Sequence, residues 1–259
     1  LRRRLDTELV RRGLVTSRAR AVEAIGAGRV TVSGAPATTA ARQVAPDEPV
    51  AISGEPARFV SRGGDKLDGA LTHWSIDVTG ARVLDAGAST GGFTDCVLQR
   101  GAGSVVAVDV GHGQLAWSLR TDPRVEVLER TNLRLLEELP GGPADLAVAD
   151  LSFISLVTVA PALVRLTTVA ARLVLLVKPQ FEAGRARVGS GGIVRDPVVH
   201  REVLREVIDG LAVAGLVVAD IIRSPLRGAD GNVEFLADVR KGGSAVTDAA
   251  LDAVTEVAA

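Results

Sequence analysis

A glycine-broken apolar run constrains this chain more than any other feature in it. In Val83-Leu84-Asp85-Ala86-Gly87-Ala88-Ser89-Thr90-Gly91-Gly92-Phe93-Thr94 a short apolar stretch breaks into glycines and then resumes at helical spacing. The pattern predicts strand, tight turn and helix. Further apolar, β-branched runs at Val105–Val110, Val125–Leu128, Leu146–Asp150, Leu173–Lys178, Leu216–Ile222 and Val233–Val239 alternate with helical stretches. Alternation of this kind predicts an α/β domain with a mostly parallel, Rossmann-like sheet and helices on both faces. Ligands of such sheets sit beyond the carboxyl ends of the strands, where the strand order reverses, and the Asp85–Thr94 turn is expected there.

Glycines let the backbone turn without a Cβ penalty, and the first free N–H groups of the helix then face whatever sits in the turn. A dinucleotide fingerprint would place glycine where Ser89 stands. A turn that opens with Asp85 and carries Ser89 and Thr90 before two glycines suits a ligand with one carboxylate and one ammonium, as S-adenosylmethionine has. Asp109, which closes the second strand, is placed to take the two hydroxyls of a ribose. The plain alternatives are a βα turn that binds nothing and an acidic strand-end residue.

With 259 residues, 47% of them apolar, the chain can bury a full core as one large domain or a large and a small one. Its single cysteine, Cys96, excludes an intramolecular disulfide, and His73, His112 and His200 share no ligand spacing, so no metal is expected. No apolar run approaches the length of a bilayer span, and the arginine-rich start lacks the apolar segment of a signal peptide. A cytoplasmic, reducing location follows as the expectation. The net charge of −1 hides an asymmetry: residues 1–42 hold nine arginines against Asp6, Glu8 and Glu23, or +6, which leaves −7 for the remainder. A basic end is the footprint of a nucleic-acid partner or, more plainly, a solvated helix face.

Leu5, Leu9 and Val10 predict a first helix ended near Gly13. A second follows, capped by Thr16 or Ser17, with Ala21, Val22 and Ile25 on its apolar face and Gly26-Ala27-Gly28 as its stop. Val30–Val32 and Val50–Ile52 read as short strands, with a Ser33-Gly34 turn between them. This small α+β module, with its Leu-Asp…Leu…Gly-Leu…Ser-Arg…Gly-Arg-Val-Thr-Val…Gly pattern, resembles the RNA-binding domain first seen in a ribosomal small-subunit protein. The resemblance implies that Arg4, Arg11, Arg12, Arg18 and Arg20 lie against phosphates and that RNA shape is read more than sequence. Domain limits are expected at 1–53 for this module, 54–61 for a linker, 62–243 for the α/β domain and 244–259 for a helical tail.

Of thirty basic residues only Lys66, Lys178 and Lys241 are lysine. Arginine keeps its proton, whereas a desolvated lysine can lose it and serve as a base. Lys178 ends one apolar run and Asp150 another, so both emerge at the ligand edge of the sheet. Lys66 rides near the start of a helix marked by Leu67, Ala70 and Leu71. Glu234 reaches the same edge if the last run lies antiparallel. Two lysines and two carboxylates from four elements then converge beside the ligand, an arrangement better suited to catalysis than to structure.

The order Lys66, Asp150, Lys178, Glu234 resembles the catalytic tetrad of FtsJ-type ribose 2′-O-methyltransferases. Together with 85–94, Asp109–Trp117, Ala149–Leu156 and Val177–Glu182, the chain is similar to TlyA-type (haemolysin A) ribosomal RNA methyltransferases over about residues 4–240. The resemblance implies S-adenosylmethionine as donor and cytidine 2′-hydroxyls of ribosomal RNA as acceptors, and the basic extension resembles members that act on both subunits. It implies a cofactor site of Asp85, Gly87, Ser89, Thr90, Gly91, Gly92, Phe93, Thr94, Asp109, Asn132 and Asp150. Lys178 is then the residue nearest the hydroxyl, Asp150 and Glu234 hold the amines, and Lys66 sets the field. One departure stands in the linker, where Ala57-Arg58-Phe59-Val60 replaces an arginine and tryptophan spaced two apart.

Trp74 and Trp117 are expected to pack rather than stack on bases, although Trp117 follows the Asp109 loop and can border the cofactor pocket. The Gly184–Gly192 segment reads equally as a substrate lid or a surface connection. Three rivals share features with this reading. A nicotinamide oxidoreductase conflicts with Ser89, a pore-forming haemolysin needs a membrane-inserting stretch, and a non-catalytic ribosome-binding factor would not need the lysines.

Overall fold

The structure is a computed structural model that describes every residue except 1, 16, 55, 56, 229 and 257–259. It divides into two compact units, Leu1–Ala57 and Arg58–Ala259.

The first unit runs β1 (Arg3–Arg4), α1 (Leu5–Arg11), α2 (Arg18–Gly26), β2 (Val30–Val32), β3 (Ala35–Pro36), β4 (Gln43–Val44) and β5 (Val50–Ile52). β2 lies between β3 and β5, and β1 pairs with β4, all antiparallel. The two-residue strands β1, β3 and β4 are too short to show a sequence period and were not expected. Leu5, Leu9, Ala21, Ala24 and Ile25 pack on Val30, Val32 and Val44. Val22, expected on that face, is 50% exposed and Ala24 is buried instead. Positions 21, 24 and 25 share one stripe of a 3.6-residue helix, and 22 lies a full step of rotation away. Ser17 Oγ accepts the Arg20 N–H at 3.3 Å as a cap, while Thr16 lies outside the described residues.

The second unit runs α3 (Arg62–His73), β6 (Arg82–Ala86), α4 (Gly92–Gln99), β7 (Ser104–Val108), α5 (Trp117–Arg120), β8 (Val125–Leu128), β9 (Ala144–Ala149), α6 (Leu156–Leu166), β10 (Thr167–Val177), α7 (Pro179–Glu182), α8 (Pro197–Val213), β11 (Val217–Arg223), β12 (Phe235–Arg240) and α9 (Asp248–Thr255). Seven strands form one sheet in the order β11-β12-β10-β9-β6-β7-β8, in which only β12 opposes its neighbours. The central strands are largely apolar on both sides because helices cover both faces. Leu173, Leu175 and Val177 face the cluster that holds Leu163, Leu204 and Leu211, whereas Val174 and Leu176 face Leu67, Leu71 and Val97.

Beyond shifts of one or two residues at strand ends, three boundaries differ from expectation. β10 starts directly after α6 at Thr167, six residues before the predicted Leu173, and pairs irregularly with β9 between Thr167 and Arg172. Residues 58–61, read as linker, pack on the second unit. Phe59 is 2% exposed and lies over Gly64, where any Cβ would strike its ring, and Val60 N donates to Asp95 Oδ2 at 2.7 Å. The tail, read as a separate segment, contributes Val246, just before α9, and Leu251, within it, to the main core. Its amphipathic sequence needs an apolar partner, and β11 with α8 supplies one.

Candidate active site

The β6–α4 turn places its groups on two sides. Gly87 has φ +84, and a Cβ there would lie 2.7 Å from the Asp150 carbonyl, so the first glycine lets β6 and the end of β9 close on each other. Ser89 adopts a left-handed φ of 48° in the place a dinucleotide fingerprint gives to glycine. Asp109 accepts the Ser89 N–H at 2.8 Å and the Gly111 N–H at 2.6 Å, and thereby ties the ends of β6 and β7 together. Gly92 opens α4 where a side chain would meet Ser61 and the Gly64 backbone.

Gly87, Ser89, Asp109, Asn132 and Asp150 line a cleft of about 360 Å³, with Val110, Thr131, Ser152 and Phe153 among their neighbours. A side chamber of about 90 Å³ adds Ser61, Gly63, Thr90, Gly92 and Phe93. Asp85 and Thr94, expected at the ligand, line neither: both are fully buried behind the turn, where Thr94 Oγ1 donates to Asp85 Oδ2 at 2.6 Å. Gly91 is turned away too, toward Leu115 and Leu119. A residue at the end of a central strand reaches either the ligand or the layer beneath it, and sequence does not say which. Burial pushes the Asp85 carboxyl up to about 7, against the Thr94 bond that favours its charge, and the nearby Asp150 and Asp109 carboxylates push the same way.

Four separated elements deliver the expected lysines and carboxylates to this edge. Lys66, on the first turns of α3, lies 2.5 Å from Glu234 Oε2, and the two are 7% and 2% exposed. Glu234 immediately precedes antiparallel β12, so it does emerge at the ligand edge. Lys178, directly after β10, has its amine 2.5 Å from Asp150 Oδ1 and donates to Ser152 Oγ at 3.2 Å. The approach to Asp150 Oδ1 is off-line for a hydrogen bond, and that oxygen is buried without a bonded donor. The two lysine side chains are similarly buried, and the pairs differ in their carboxylates: the Asp150 side chain is 24% exposed and that of Glu234 3%.

Phe153 was not singled out from sequence, since an apolar residue just past a strand reads as core. It is 91% exposed with φ 65°, lines the cleft, and stands 5.0 Å from the Phe181 ring. Trp117, expected to pack, is instead 75% exposed, whereas Trp74 is partly buried and donates its Nε1–H to Asp220 at 2.9 Å. The segment after Lys178 has its far end fastened: Asn232 accepts the Val194 N–H and donates to the Gly192 carbonyl, both at 3.0 Å.

S-adenosylmethionine fits this site on the chemistry of its lining. The Asp150 carboxylate, which borders both the cleft and the side chamber, offers negative charge to an ammonium, the glycine-lined turn allows close main-chain approach, and Asp109 with Asn132 flanks the wider part of the cleft. Among the described residues no group of histidine, cysteine and carboxylate side chains could hold a metal ion. No helix among them is long and apolar enough to cross a membrane.

In the first unit the arginines are gathered by two buried carboxylates. Asp6 receives Arg4 through two bonds of 3.1 and 2.9 Å and Arg18 at 3.0 Å. Glu8 receives Arg11 at 2.8 and 2.5 Å and Arg12 at 2.8 Å. These guanidinium groups hold both carboxyls far below the usual range, Glu8 at about 2. Arg4, Arg11 and Arg18 keep an exposed edge, and Arg20 is half-buried. Arg12 does not: its remaining donors go to the carbonyls of Ala45, Pro46 and Glu48, so its expected phosphate contact is replaced by a structural one.

Comparison with known proteins agrees with this geometry. Residues 59–241 match the FtsJ-like methyltransferase model and residues 3–50 the S4 domain. The 16S/23S rRNA (cytidine-2′-O)-methyltransferase TlyA of Mycobacterium tuberculosis is 52% identical over 254 residues, 97% of this chain and 93% of the relative. A solved Streptococcus thermophilus protein named as a candidate hemolysin superposes with a TM-score of 0.79 at 38% identity, covering 98% of this chain and 94% of its own. An S-adenosylmethionine-dependent methyltransferase from Mesorhizobium loti, 16% identical with a TM-score of 0.50, covers 66% of this chain and 96% of its own and shares the fold. With its glycine turn, its sheet order and its paired lysines and carboxylates all inside the matched region, the chain belongs to the FtsJ-like methyltransferase family and carries an S4 domain ahead of it.

Proposed function

We propose that this protein transfers a methyl group from S-adenosylmethionine to the 2′-hydroxyl of cytidines in ribosomal RNA of both subunits. The observation that carries the reading is the arrival of the Lys178–Asp150 and Lys66–Glu234 pairs at one sheet edge, with Asp150 in the lining of the glycine-containing cleft. A relative matched along 97% of this chain is named for that reaction on 16S and 23S RNA, which supports the substrate and both targets.

When bound, S-adenosylmethionine supplies a sulfonium-activated methyl, so the protein must align an acceptor hydroxyl with it and assist loss of one proton. Lys178, whose partner Asp150 lines the cleft, orients the hydroxyl and, in its neutral amine form, takes the proton. Asp150 and Ser152 hold the amine in place, and the closed Lys66–Glu234 pair sets the field around it. Gly87, Ser89, Thr90, Gly92, Phe93, Asp109, Asn132 and Asp150 hold the cofactor. Asp85, Gly91 and Thr94 shape the turn from behind. Phe153 offers an exposed face on which the acceptor base stacks. Arg4, Arg11, Arg18 and Arg20 anchor RNA phosphates, while Arg12 braces the S4 domain. Such a substrate places the protein in the cytoplasm.

The test is incubation of purified small and large subunits with tritiated S-adenosylmethionine, followed by mapping of methylated riboses. Label at cytidine 2′-oxygens is expected. Label on bases, or none in RNA, would sink the reading.

A further inference from the structure

The loop that follows β9 and the turn that follows β10 are joined by four contacts in register. Lys178 meets Asp150 at 2.5 Å and Ser152 at 3.2 Å, and the Phe181 ring lies 5.0 Å from Phe153. At the far end the carboxylate Oε1 of Glu182 accepts the Leu156 N–H at 2.9 Å, with the Ser155 hydroxyl as a further partner. The near end of the loop is set by the sheet, through the Asp150 N–H donated to the Ala86 carbonyl at 3.1 Å. Between these two anchors Phe153 holds a left-handed φ of 65° with its ring in solvent, a conformation a bulky residue keeps only when its surroundings impose it.

Glu182 therefore does more than cap α6, which already has Ser155 Oγ accepting the Val157 N–H at 3.1 Å. It is the polar tie between loop and turn that does not pass through Lys178. Burial raises the Glu182 carboxyl above its usual range, and the N–H and hydroxyl donors at the start of α6 offset that cost.

We infer that Glu182 is a positioning residue for the methyl transfer: by binding the start of α6 it fixes where the Lys178 amine and the Phe153 ring stand relative to Asp150. The inference rests on the proposed activity for its kinetic arm. Once α7 is released from α6, the turn is held to the loop only by the Lys178 contacts and the Phe153–Phe181 ring contact. The amine then samples positions off the hydroxyl, while the cofactor chamber, built by the β6–α4 turn, is left as it was.

The test compares the full-length parent with Glu182→Ala and Glu182→Gln, the second of which keeps an oxygen that accepts the Leu156 N–H. Glu182→Ala is expected to lower kcat by roughly 10–100-fold, the scale of a displaced catalytic group, with S-adenosylmethionine affinity by calorimetry within about twofold of the parent. Glu182→Gln is expected to restore kcat to within about threefold of the parent. Amide hydrogen exchange supplies an arm independent of activity: in Glu182→Ala, the Leu156 and Val157 amides lose protection while the bonded amides of Gly87, Ser89 and Gly91 keep theirs. An alanine variant with parental kcat and unchanged exchange overturns the inference, and so does a glutamine variant as slow as the alanine. If the parent methylates no ribosomal RNA, the proposed function falls and the exchange arm alone decides the role of Glu182.

Discussion

Lys178 and Lys66 have the same chemistry and different surroundings, and that difference assigns their roles. The two lysine side chains are similarly buried, but Glu234 beside Lys66 is closed off, whereas Asp150 beside Lys178 is 24% exposed and lines the cleft. Lys178→Arg preserves charge and most of the length, so a lysine that merely pairs with Asp150 should tolerate it with a loss of no more than about tenfold. A guanidinium cannot give up its proton and is broader than an amine. Turnover is therefore expected to fall by roughly 10²–10⁴, with S-adenosylmethionine and RNA affinities little changed, as single-turnover assays and calorimetry would report. Near-parental turnover would make Lys178 structural and Lys66 the better candidate. Asp85 makes a prediction in pH. Its folded pKa of about 7 lies above the unfolded carboxylate value near ~3.9, so its contribution to stability is complete below the unfolded value and is lost as pH rises through 7. Asp85→Asn keeps an acceptor for Thr94 without the charge. Thermal melts of the cofactor-free proteins should show the variant gaining on the parent between pH 5 and pH 8.5. A difference that is flat with pH would contradict a neutral buried acid.

At the scale of elements, the loop after β9 links chemistry to recognition. It carries Asp150 at one end, the exposed Phe153 in the middle and the Ser155 cap of α6 at the other. Base–aromatic stacking contributes about 1–3 kcal/mol. Phe153→Ala should therefore raise KM for RNA by roughly tenfold or more while calorimetric S-adenosylmethionine affinity stays near the parent value. If KM is unmoved, the exposed ring has another partner. Helix α1 shows the same economy in the first unit: Asp6 and Glu8, on one helix, gather Arg4, Arg11, Arg12 and Arg18. Charge counting saw nine arginines as one basic patch. The pairing divides them into Arg12, held internally, and others with an outward edge.

The two units each have their own apolar core, drawn from residues 5–52 in the first and 59–254 in the second. Separate cores predict separable functions. Removing residues 1–57 should leave S-adenosylmethionine binding largely intact, because the glycine turn, the Phe59 anchor and both lysine pairs lie beyond the cut. RNA methylation should be abolished, because the phosphate-positioning arginines are gone. Calorimetry checks the first half and ribose mapping the second; near-normal methylation of subunits would refute the division of labour.

Sequence by itself determined the elements whose signal is local. Alternating apolar runs gave the sheet, the glycines gave the turn at the end of β6, and Lys66, Asp150, Lys178 and Glu234 were legible because three of them border strand ends and lysine is rare here. Elements without a period, such as β1, β3 and β4, left no trace, and the start of β10 was hidden by an irregular register. Only the tertiary structure decided which side of the β6–α4 turn Asp85 faces, that Arg12 is spent internally, that Phe153 and Trp117 are exposed, and that Glu182 ties two loops together. Each of these depends on what a distant segment brings within about 3–5 Å, and hydrogen bonding and burial at that range are properties of the packed chain that no local pattern encodes.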